Sequence, residues 1–280
     1  MISIHLATLL FGLAGLFGKW VALPAQVIVF GRVLFAALFL LPLIAATGQK
    51  ARLENRFDGG WLALQGALLA LHWGSFFKAI QVSSVAVGLL TFASFPVFTA
   101  LLEPLFEKRP FVWKSLAPAM ATLWGVYLVV PDFSASDAVF QGALWGLVSG
   151  LTFALLSLYN RRFVRRYSGA VIALWQDGFA MLFLLPFVIP SLPQVTLSDV
   201  GLLVLLGTLF TGVSHTLFIN GMKRISARRA SIVVSLEPVY GIAAAMLLLG
   251  EVPDFRAMAG GAIILATALF VTLEGRRKGS

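Results

Sequence analysis

The chain has 280 residues, 59% of them hydrophobic and only 12% charged, with a mean hydropathy of +0.93 and a formal net charge of +9. A soluble domain carries roughly 25% charged residues, so this composition excludes a separate soluble domain and indicates a protein of the lipid bilayer. Because cysteine is absent, disulfides, thiol catalysis and cysteine-based metal sites are excluded as well.

A stretch of about 20 apolar residues crosses the hydrocarbon core as a helix, and the sequence predicts ten such stretches. The predicted fold class is therefore all-α integral membrane, with ten transmembrane helices. The first stretch has no basic segment before it, which favours a membrane helix over a cleaved signal peptide. A short polar connector over 131–138 separates the first five helices from the last five. In chain order, the predicted helices cover 3–20, 25–46, 60–80, 84–105, 112–130, 139–160, 169–190, 199–220, 229–249 and 255–273.

The chain repeats itself. Residues 38–42 (LFLLP) recur at 182–186, and the segment 94–98 (SFPVF) has its counterpart at 236–240 (LEPVY). Both pairs keep the same order and nearly the same offset, 144 and 142 residues. An odd number of helices in each copy makes the second copy enter the membrane from the opposite side. Such inverted repeats are typical of secondary transporters, whose substrate site lies near the midplane.

Lysine and arginine predict the orientation. Of the 21 basic residues, 17 lie in loops on one side, while Lys19, Lys78 and Arg256 lie on the other side and Arg32 lies within a span. Cytoplasmic loops carry the excess of positive charge, so both termini are predicted to be cytoplasmic. Because the basic residues lie in these short loops, their charge is not a sign of nucleic-acid binding. The predicted repeats are 1–133 and 134–280.

Several motifs resemble the EamA branch of the drug/metabolite transporter superfamily, over essentially the whole chain. The resemblance implies a ten-helix, five-plus-five fold in a bacterial inner (plasma) membrane. It also implies transport of metabolites such as amino acids, often outward. The third, fourth, eighth and ninth helices would surround the path, with the first and sixth as mobile partners. The motifs are 84–88 (SVAVG), 95–96 (FP), 105–107 (LFE), 226–231 (SARRAS), 236–239 (LEPV) and 248–251 (LLGE).

Ionisable residues inside spans are the first site candidates, because a charge in the hydrocarbon core is costly. The deepest is His72, about 18 Å from the cytoplasmic end of its span at 1.5 Å per residue. Gln65 and Ser75 share its helix face, and Trp73 is its neighbour. We predict that this polar stripe binds substrate. The alternative is that His72 only forms a hydrogen bond with a nearby backbone carbonyl.

The second half carries its own candidates. His215 occupies nearly the same repeat position as His72 and is predicted to share its role. Pro96 and Pro238 are predicted helix breaks, because proline removes a backbone donor and frees a carbonyl. Beside the second break, Glu237 is predicted to bind a substrate ammonium or to carry a proton. The alternatives are a glutamate held by serine hydroxyls and, since only one half has this carboxylate, a uniporter.

Three further residues have two interpretations each. Asp177 is a candidate for proton coupling, or it pairs with a basic residue of the cytoplasmic loops. Arg32 can hold a substrate carboxylate, but its depth, about 10 Å from the outer end, favours a side chain that snorkels to the interface. Trp145 can line a cavity together with the polar residues near its face, or it packs against lipid.

The leading interpretation is a secondary transporter, a probable exporter, of a small polar or amphipathic metabolite such as an amino acid, working by alternating access. No glycine-rich nucleotide-binding loop is present, so neither ATP coupling nor a cofactor is predicted. The runner-up is a membrane-embedded enzyme acting on a lipid-linked substrate, but no histidine-rich metal spacing supports it. The sequence leaves the substrate, the transport direction and the choice between monomer and homodimer open.

Overall fold

The computed structural model describes residues 2–108, 110, 113, 116–130, 134, 136–222 and 233–277. These residues form helices joined by short loops, as the all-α prediction requires. Part of the 131–138 connector and the whole 226–231 motif lie outside the described residues. The helices are α1 (Ile2–Ala14), α2 (Phe17–Trp20), α3 (Ala25–Ala46), α4 (Arg56–Val82), α5 (Val85–Phe92), α6 (Phe95–Glu107), α7 (Leu116–Val129), α8 (Ala138–Phe163), α9 (Gly169–Val188), α10 (Leu197–Gly207), α11 (Ser214–Gly221), α12 (Glu237–Leu248) and α13 (Phe255–Arg277).

Six helical stretches are long and apolar enough to cross a membrane, and three shorter apolar helices accompany them. This is the pattern of a multi-pass membrane protein. The short helices are Leu116–Val129, Glu237–Leu248 and Phe255–Phe270. The six long stretches are Ile2–Trp20, Ala25–Ala46, Val85–Phe106, Ala138–Arg161, Gly169–Leu192 and Leu197–Gly221.

Several predicted helices are interrupted, and the interruptions lie in corresponding places of the two halves. α5 ends at Phe92 and α6 begins at Phe95, so Pro96 lies in the first turn of the new helix. Likewise, α12 begins at Glu237, followed directly by Pro238. The first helical turn tolerates proline because its backbone N–H would have no partner there anyway. The breaks therefore precede the prolines.

A further irregularity separates α10 from α11. Residues Thr208–Val213 form a π-helical turn, which widens the helix by one residue. The Thr211 hydroxyl donates to the carbonyl of Leu206, five residues earlier, at 2.8 Å. Single π-turns inside α-helices occur frequently at functional sites. The predicted continuous helix over 199–220 did not anticipate this turn.

Glycines let the helices approach closely around the centre of the molecule. A Cβ added at Gly150 of α8 would lie 2.8 Å from the hydroxyl oxygen of Ser94. A Cβ added at Gly12 of α1 would lie 2.7 Å from the carbonyl oxygen of Glu237 and 3.0 Å from the nitrogen of Gly241. Small residues at helix crossings are the usual means of close packing in membranes. They bring α1 of the first half directly against the start of α12.

The longest helix, α4, joins two polar clusters at opposite ends of the bundle. Near its start, the Tyr167 hydroxyl donates to Asp58 at 2.7 Å. Just past its end, Lys19 donates to the carbonyl of Ser83 at 2.8 Å and lies 3.7 Å from Glu251. Asp58 and Ser83 are 25 residues apart, or about 37 Å along a helix, somewhat more than the roughly 30 Å hydrocarbon core. The two clusters therefore mark the two faces of the bundle.

Candidate functional site

A cavity lies near the middle of α4, between helices of both halves. It contains about 590 Å³ of space free of protein atoms, counted together with its open side. His72, about 21 Å from Asp58 and about 17 Å from Ser83 along α4, lines it. Helices α1, α3, α4, α5, α8, α11 and α12 each contribute to the wall. The polar lining side chains are Arg32, His72, Asn160, His215 and Glu237.

Aromatic rings form most of the remaining wall. Phe153 lies 5.0 Å from Phe95, 5.4 Å from Phe92 and 5.9 Å from Phe218, measured between ring centroids. The pairs with Phe95 and Phe92 are edge to face and the pair with Phe218 is tilted; rings in such contact hold one another in place. The wall therefore gives the cavity an apolar, fairly rigid surface. The aromatic lining residues are Phe11, Trp73, Phe76, Phe92, Phe153 and Phe218.

His72 is both hydrogen-bonded and part of the cavity wall. Its Nδ1 lies 3.0 Å from the carbonyl oxygen of Ser149 and 2.9 Å from the hydroxyl oxygen of the same residue. A carbonyl oxygen only accepts, so this contact requires a proton on Nδ1, which in the neutral ring is the Nδ1–H tautomer. Nε2 is then left as an acceptor. His72 therefore forms a hydrogen bond with a backbone carbonyl and lines the cavity at the same time. The two alternatives for this residue do not exclude each other.

Arg32 does not snorkel, and that prediction is wrong. Its side chain is only 2% exposed and lines the cavity. Nε donates to the hydroxyl of Thr211 at 2.9 Å, and the guanidinium carbon lies 3.8 Å from the centroid of the Trp73 ring. The reason is that α3 packs against α4, α9 and α10, so the face that carries Arg32 is turned inward. Depth along the helix does not reveal which way a side chain points.

The two buried acids differ in their access to the cavity. Glu237 lines it, whereas Asp177 is fully buried and does not. Within the described part of the chain, neither Asp177 oxygen has a hydrogen-bond partner, and no basic residue of the loops pairs with it. The predicted pairing with a loop cation is therefore not seen. Arg32 is the cation that interacts electrostatically with both carboxyl groups.

His215 and Trp73 also lie in the wall, and their role in substrate binding stays a prediction. Their rings meet edge to face, with centroids 5.7 Å apart. The Nδ1 atom of His215 is buried and has no hydrogen-bond partner in the residues that the structure describes. Trp73 thus contacts His215 at its edge and Arg32 at its face, which links the polar side chains of α3, α4 and α11.

Three other predicted residues lie outside the cavity wall. Gln65 accepts a hydrogen bond from Gln176 at 2.8 Å, and Gln176 also donates to Asn160 at 2.7 Å. Gln65 is therefore linked through Gln176 to the cavity residue Asn160. Ser75 donates to carbonyls of its own helix, those of Leu71 and His72. Trp145 is wrong as a lining residue, since it lies about 12 Å from Phe153 along α8 and is 39% exposed.

Sequence reasoning missed Asn160, the Thr211 turn and the phenylalanines. Asn160 gave a weak signal, because it is a polar residue that falls at the predicted end of a span. The phenylalanines gave none, because 24 of them are spread along the chain. A ring that faces the cavity and a ring that faces lipid look alike in an apolar span.

A family model places the molecule among known proteins. The model of the EamA-like transporter family matches residues 1–130 and, a second time, residues 140–273. The chain belongs to the EamA-like transporter family. The resemblance drawn from the motifs is thereby confirmed, and with it the expectation that the protein is a membrane transporter and not an enzyme.

Relatives of this EamA-like protein are named as transporters. It is 26% identical to the uncharacterized inner membrane transporter YicL of Salmonella typhimurium, over 99% of this chain and 96% of the relative. It is 25% identical to a probable biotin transporter of Pseudomonas aeruginosa, over 88% and 87%. It is 24% identical to a probable terminal-alkyne amino-acid exporter of Streptantibioticus cattleyicolor, over 85% and 82%.

A solved crystal structure has the same fold. Its TM-score to this EamA-like protein is 0.69 at 20% sequence identity, and the match covers 100% of this chain and 98% of the other. Agreement at this level of identity concerns the arrangement of the helices alone. The family match and the named relatives make the protein a transporter of small metabolites in a membrane.

Proposed function

We propose that the protein is a secondary transporter that exports a small polar or amphipathic metabolite of the amino-acid class by alternating access. The observation that carries the proposal is the central cavity. It joins a cation, Arg32, and an acid, Glu237, from opposite halves of the chain inside an aromatic wall. A site near the midplane, formed where two repeats meet, is what an alternating-access carrier needs.

The names of the relatives support the substrate class. One relative is named for biotin and another for an amino acid with a terminal alkyne. Both compounds are small, and both combine a carboxylate with an apolar portion. A cavity that combines charged groups with phenylalanine rings suits such molecules. The second relative is named as an exporter, which favours outward transport for this chain too.

The proposed topology has ten transmembrane helices in two inverted repeats, 1–133 and 134–280, in the inner membrane. The described helices support this number, because the six long apolar stretches, the three shorter apolar helices and α4 together make ten. The two polar clusters support the orientation, because Tyr167 and Asp58 lie beside the predicted basic loops and Glu251 lies at the other face. Both termini would then be cytoplasmic.

Reporter fusions test this topology. We expect a cytoplasmic reporter to be active when it is fused after Ser280, and a periplasmic reporter to be active when it is inserted in the 131–138 connector. Five helices between the two positions place them on opposite faces. Activity of the same reporter at both positions would exclude the five-plus-five arrangement.

The transport activity itself is tested by counterflow in proteoliposomes. Vesicles loaded with an unlabelled amino acid should accumulate the same labelled amino acid transiently, because a carrier exchanges the two through one site. A channel gives no such overshoot. Screening the common amino acids in this way also tests the proposed substrate class, and absence of counterflow for all of them would contradict it.

Glu237 is proposed to couple transport to protons. Its carboxylate lines the cavity, where it can take up and release a proton. A second buried acid, Asp177, interacts with the same cation, Arg32. Both acids belong to the second half of the chain, and their shared interaction with Arg32 supports proton coupling over the uniporter alternative.

If Glu237 couples transport to protons, the Glu237→Gln variant should lose the response of transport to a pH gradient. We expect wild-type counterflow to change at least severalfold when a pH gradient is imposed. The variant should lose that response and exchange substrate more weakly, because a glutamine oxygen still accepts a hydrogen bond from an ammonium group but carries no charge. Glutamine has the same shape but carries no titrating proton. Glu54→Gln, at an exposed loop position, is the matched control and should respond like the wild type. A wild type that ignores the gradient would mean uniport.

A further inference from the structure

Arg32 is a buried cation that has no direct counter-ion in the described part of the protein. Its side chain is almost fully buried, and no carboxylate oxygen described here lies within 4.0 Å of it. Burial of an unpaired charge is costly, and proteins normally compensate it with a partner. Because Arg32 lines the cavity, a partner that enters the cavity can reach it.

The π-helical turn holds one side of the guanidinium. The single proton of the Thr211 hydroxyl is committed to the carbonyl of Leu206 at 2.8 Å, so a lone pair of the hydroxyl oxygen is left to accept from Arg32 Nε at 2.9 Å. Nη2 donates to the carbonyl of Phe210 at 3.3 Å. This carbonyl also accepts from Ser214 at 2.7 Å. The turn thus fixes two of the three guanidinium nitrogens.

The remaining donors are left for a ligand. A guanidinium has five N–H groups, and Nη1 has no hydrogen-bond partner among the residues described. The Trp73 ring covers one face of the group at 3.8 Å, with Phe77 5.5 Å away. Stacking on a ring fixes the plane and leaves the edge of the group free. A planar edge of parallel N–H donors matches a carboxylate, which accepts two hydrogen bonds at once.

We propose that Arg32 binds the carboxylate of the transported molecule, which makes a carboxylate group a requirement for binding. This inference rests on the proposed function, because it takes the cavity to be the transport site. Glu237, from the opposite half, lines the same cavity and accepts the ammonium group of a zwitterionic substrate. The aromatic wall then surrounds an apolar side chain. The preferred ligand is an α-amino acid with an aliphatic or aromatic side chain.

The test compares acids with their amides on the wild-type protein. L-Phenylalanine and L-leucine are each paired with their primary amide, which keeps the side chain and the α-amino group and removes only the carboxylate. A ligand that binds the native state raises the thermal midpoint. We expect each acid to stabilise the purified protein at a concentration at least about tenfold below that of its amide, because charge-assisted hydrogen bonds are lost with the carboxylate.

Variants test whether Arg32 causes the preference for the acid over the amide. In Arg32→Gln the acid and the amide should stabilise equally, and Arg32→Lys should keep only part of the preference, because lysine has the charge but not the planar fork. Arg256→Gln removes one positive charge from an exposed position and should behave like the wild type. The comparison of acids with amides is made on the wild-type protein. It therefore remains a valid test even if Arg32→Gln does not fold.

Three outcomes would overturn the inference: amides that bind wild-type protein as well as the acids, a preference that survives in Arg32→Gln, and no stabilisation by either acid. Counterflow separates this inference from the proposed function. Arg32-dependent binding of the acids without counterflow refutes the transport role and leaves the carboxylate site. Counterflow of a solute without a carboxylate, unaffected by Arg32→Gln, refutes the carboxylate site and leaves a transporter.

Discussion

Replacing Trp73 with alanine is expected to cost about 3–5 kcal/mol of unfolding free energy and to abolish ligand binding in the cavity. The indole is 7% exposed, stacks on the Arg32 guanidinium at 3.8 Å and meets the His215 ring at 5.7 Å. Its removal leaves a void, and it also takes away a desolvated cation–π contact worth about 2 kcal/mol. Arg32 would then lose the surface that fixes its plane.

Trp124→Ala is the matched control for this substitution. Trp124 is 57% exposed and stacks on Tyr127, so the same change of side chain creates no internal void there. The thermal midpoint in detergent and the midpoint shift caused by L-phenylalanine report stability and binding separately. If Trp73→Ala and Trp124→Ala behaved alike in both measurements, Trp73 would have no special place in the site.

Replacing Gly207 with alanine is expected to destabilise the protein by about 1–3 kcal/mol, despite the better helix propensity of alanine. The added Cβ would lie 2.5 Å from the Cβ of Phe35, 2.8 Å from the carbonyl oxygen of Arg32 and 3.1 Å from the nitrogen of Ala36. Two of these atoms belong to the backbone of α3, which cannot rotate away. α3 would have to move, and Arg32 would move with it away from the π-turn.

Gly201→Ala, in the same helix, is the control for this second substitution. No atom lies within 4 Å of a Cβ added at Gly201, so the change should be neutral or stabilise slightly through helix propensity. In Gly207→Ala, both the thermal midpoint and the preference for the amino acid over its amide should decrease. In Gly201→Ala, neither should decrease. A Gly207→Ala protein with an unchanged preference would show that the contact between α3 and α10 does not position Arg32.

Membership of the family, the helical class and the membrane environment were predictable from the sequence. They depend on average hydropathy, on the repeat and on local motifs, which are properties of stretches of chain. The candidates His72, Trp73, His215 and Glu237 lie in the cavity wall, and their role in substrate binding stays a prediction. A polar or charged group deep in an apolar span is a strong signal, because burial in lipid is so costly.

The local irregularities were only partly predictable. Pro96 and Pro238 indicated that the helices break nearby, and the breaks do precede them. The π-turn over Thr208–Val213 has no proline and no comparable signal, although it holds Arg32. Its extra residue is stabilised by side-chain bonds from Thr211 and Ser214. Threonine and serine form such bonds in ordinary helices as well.

The sequence by itself determined that this protein is an EamA-like membrane protein built from apolar helices, and which residues are too polar to face lipid. Only the tertiary structure decided which of them meet. Arg32 turned out to be a cavity residue and Trp145 a surface residue, because the helix packing sets the direction in which each side chain points. Hydropathy measures how apolar a span is on average, whereas a binding site depends on the close approach of a few side chains from helices far apart in the chain.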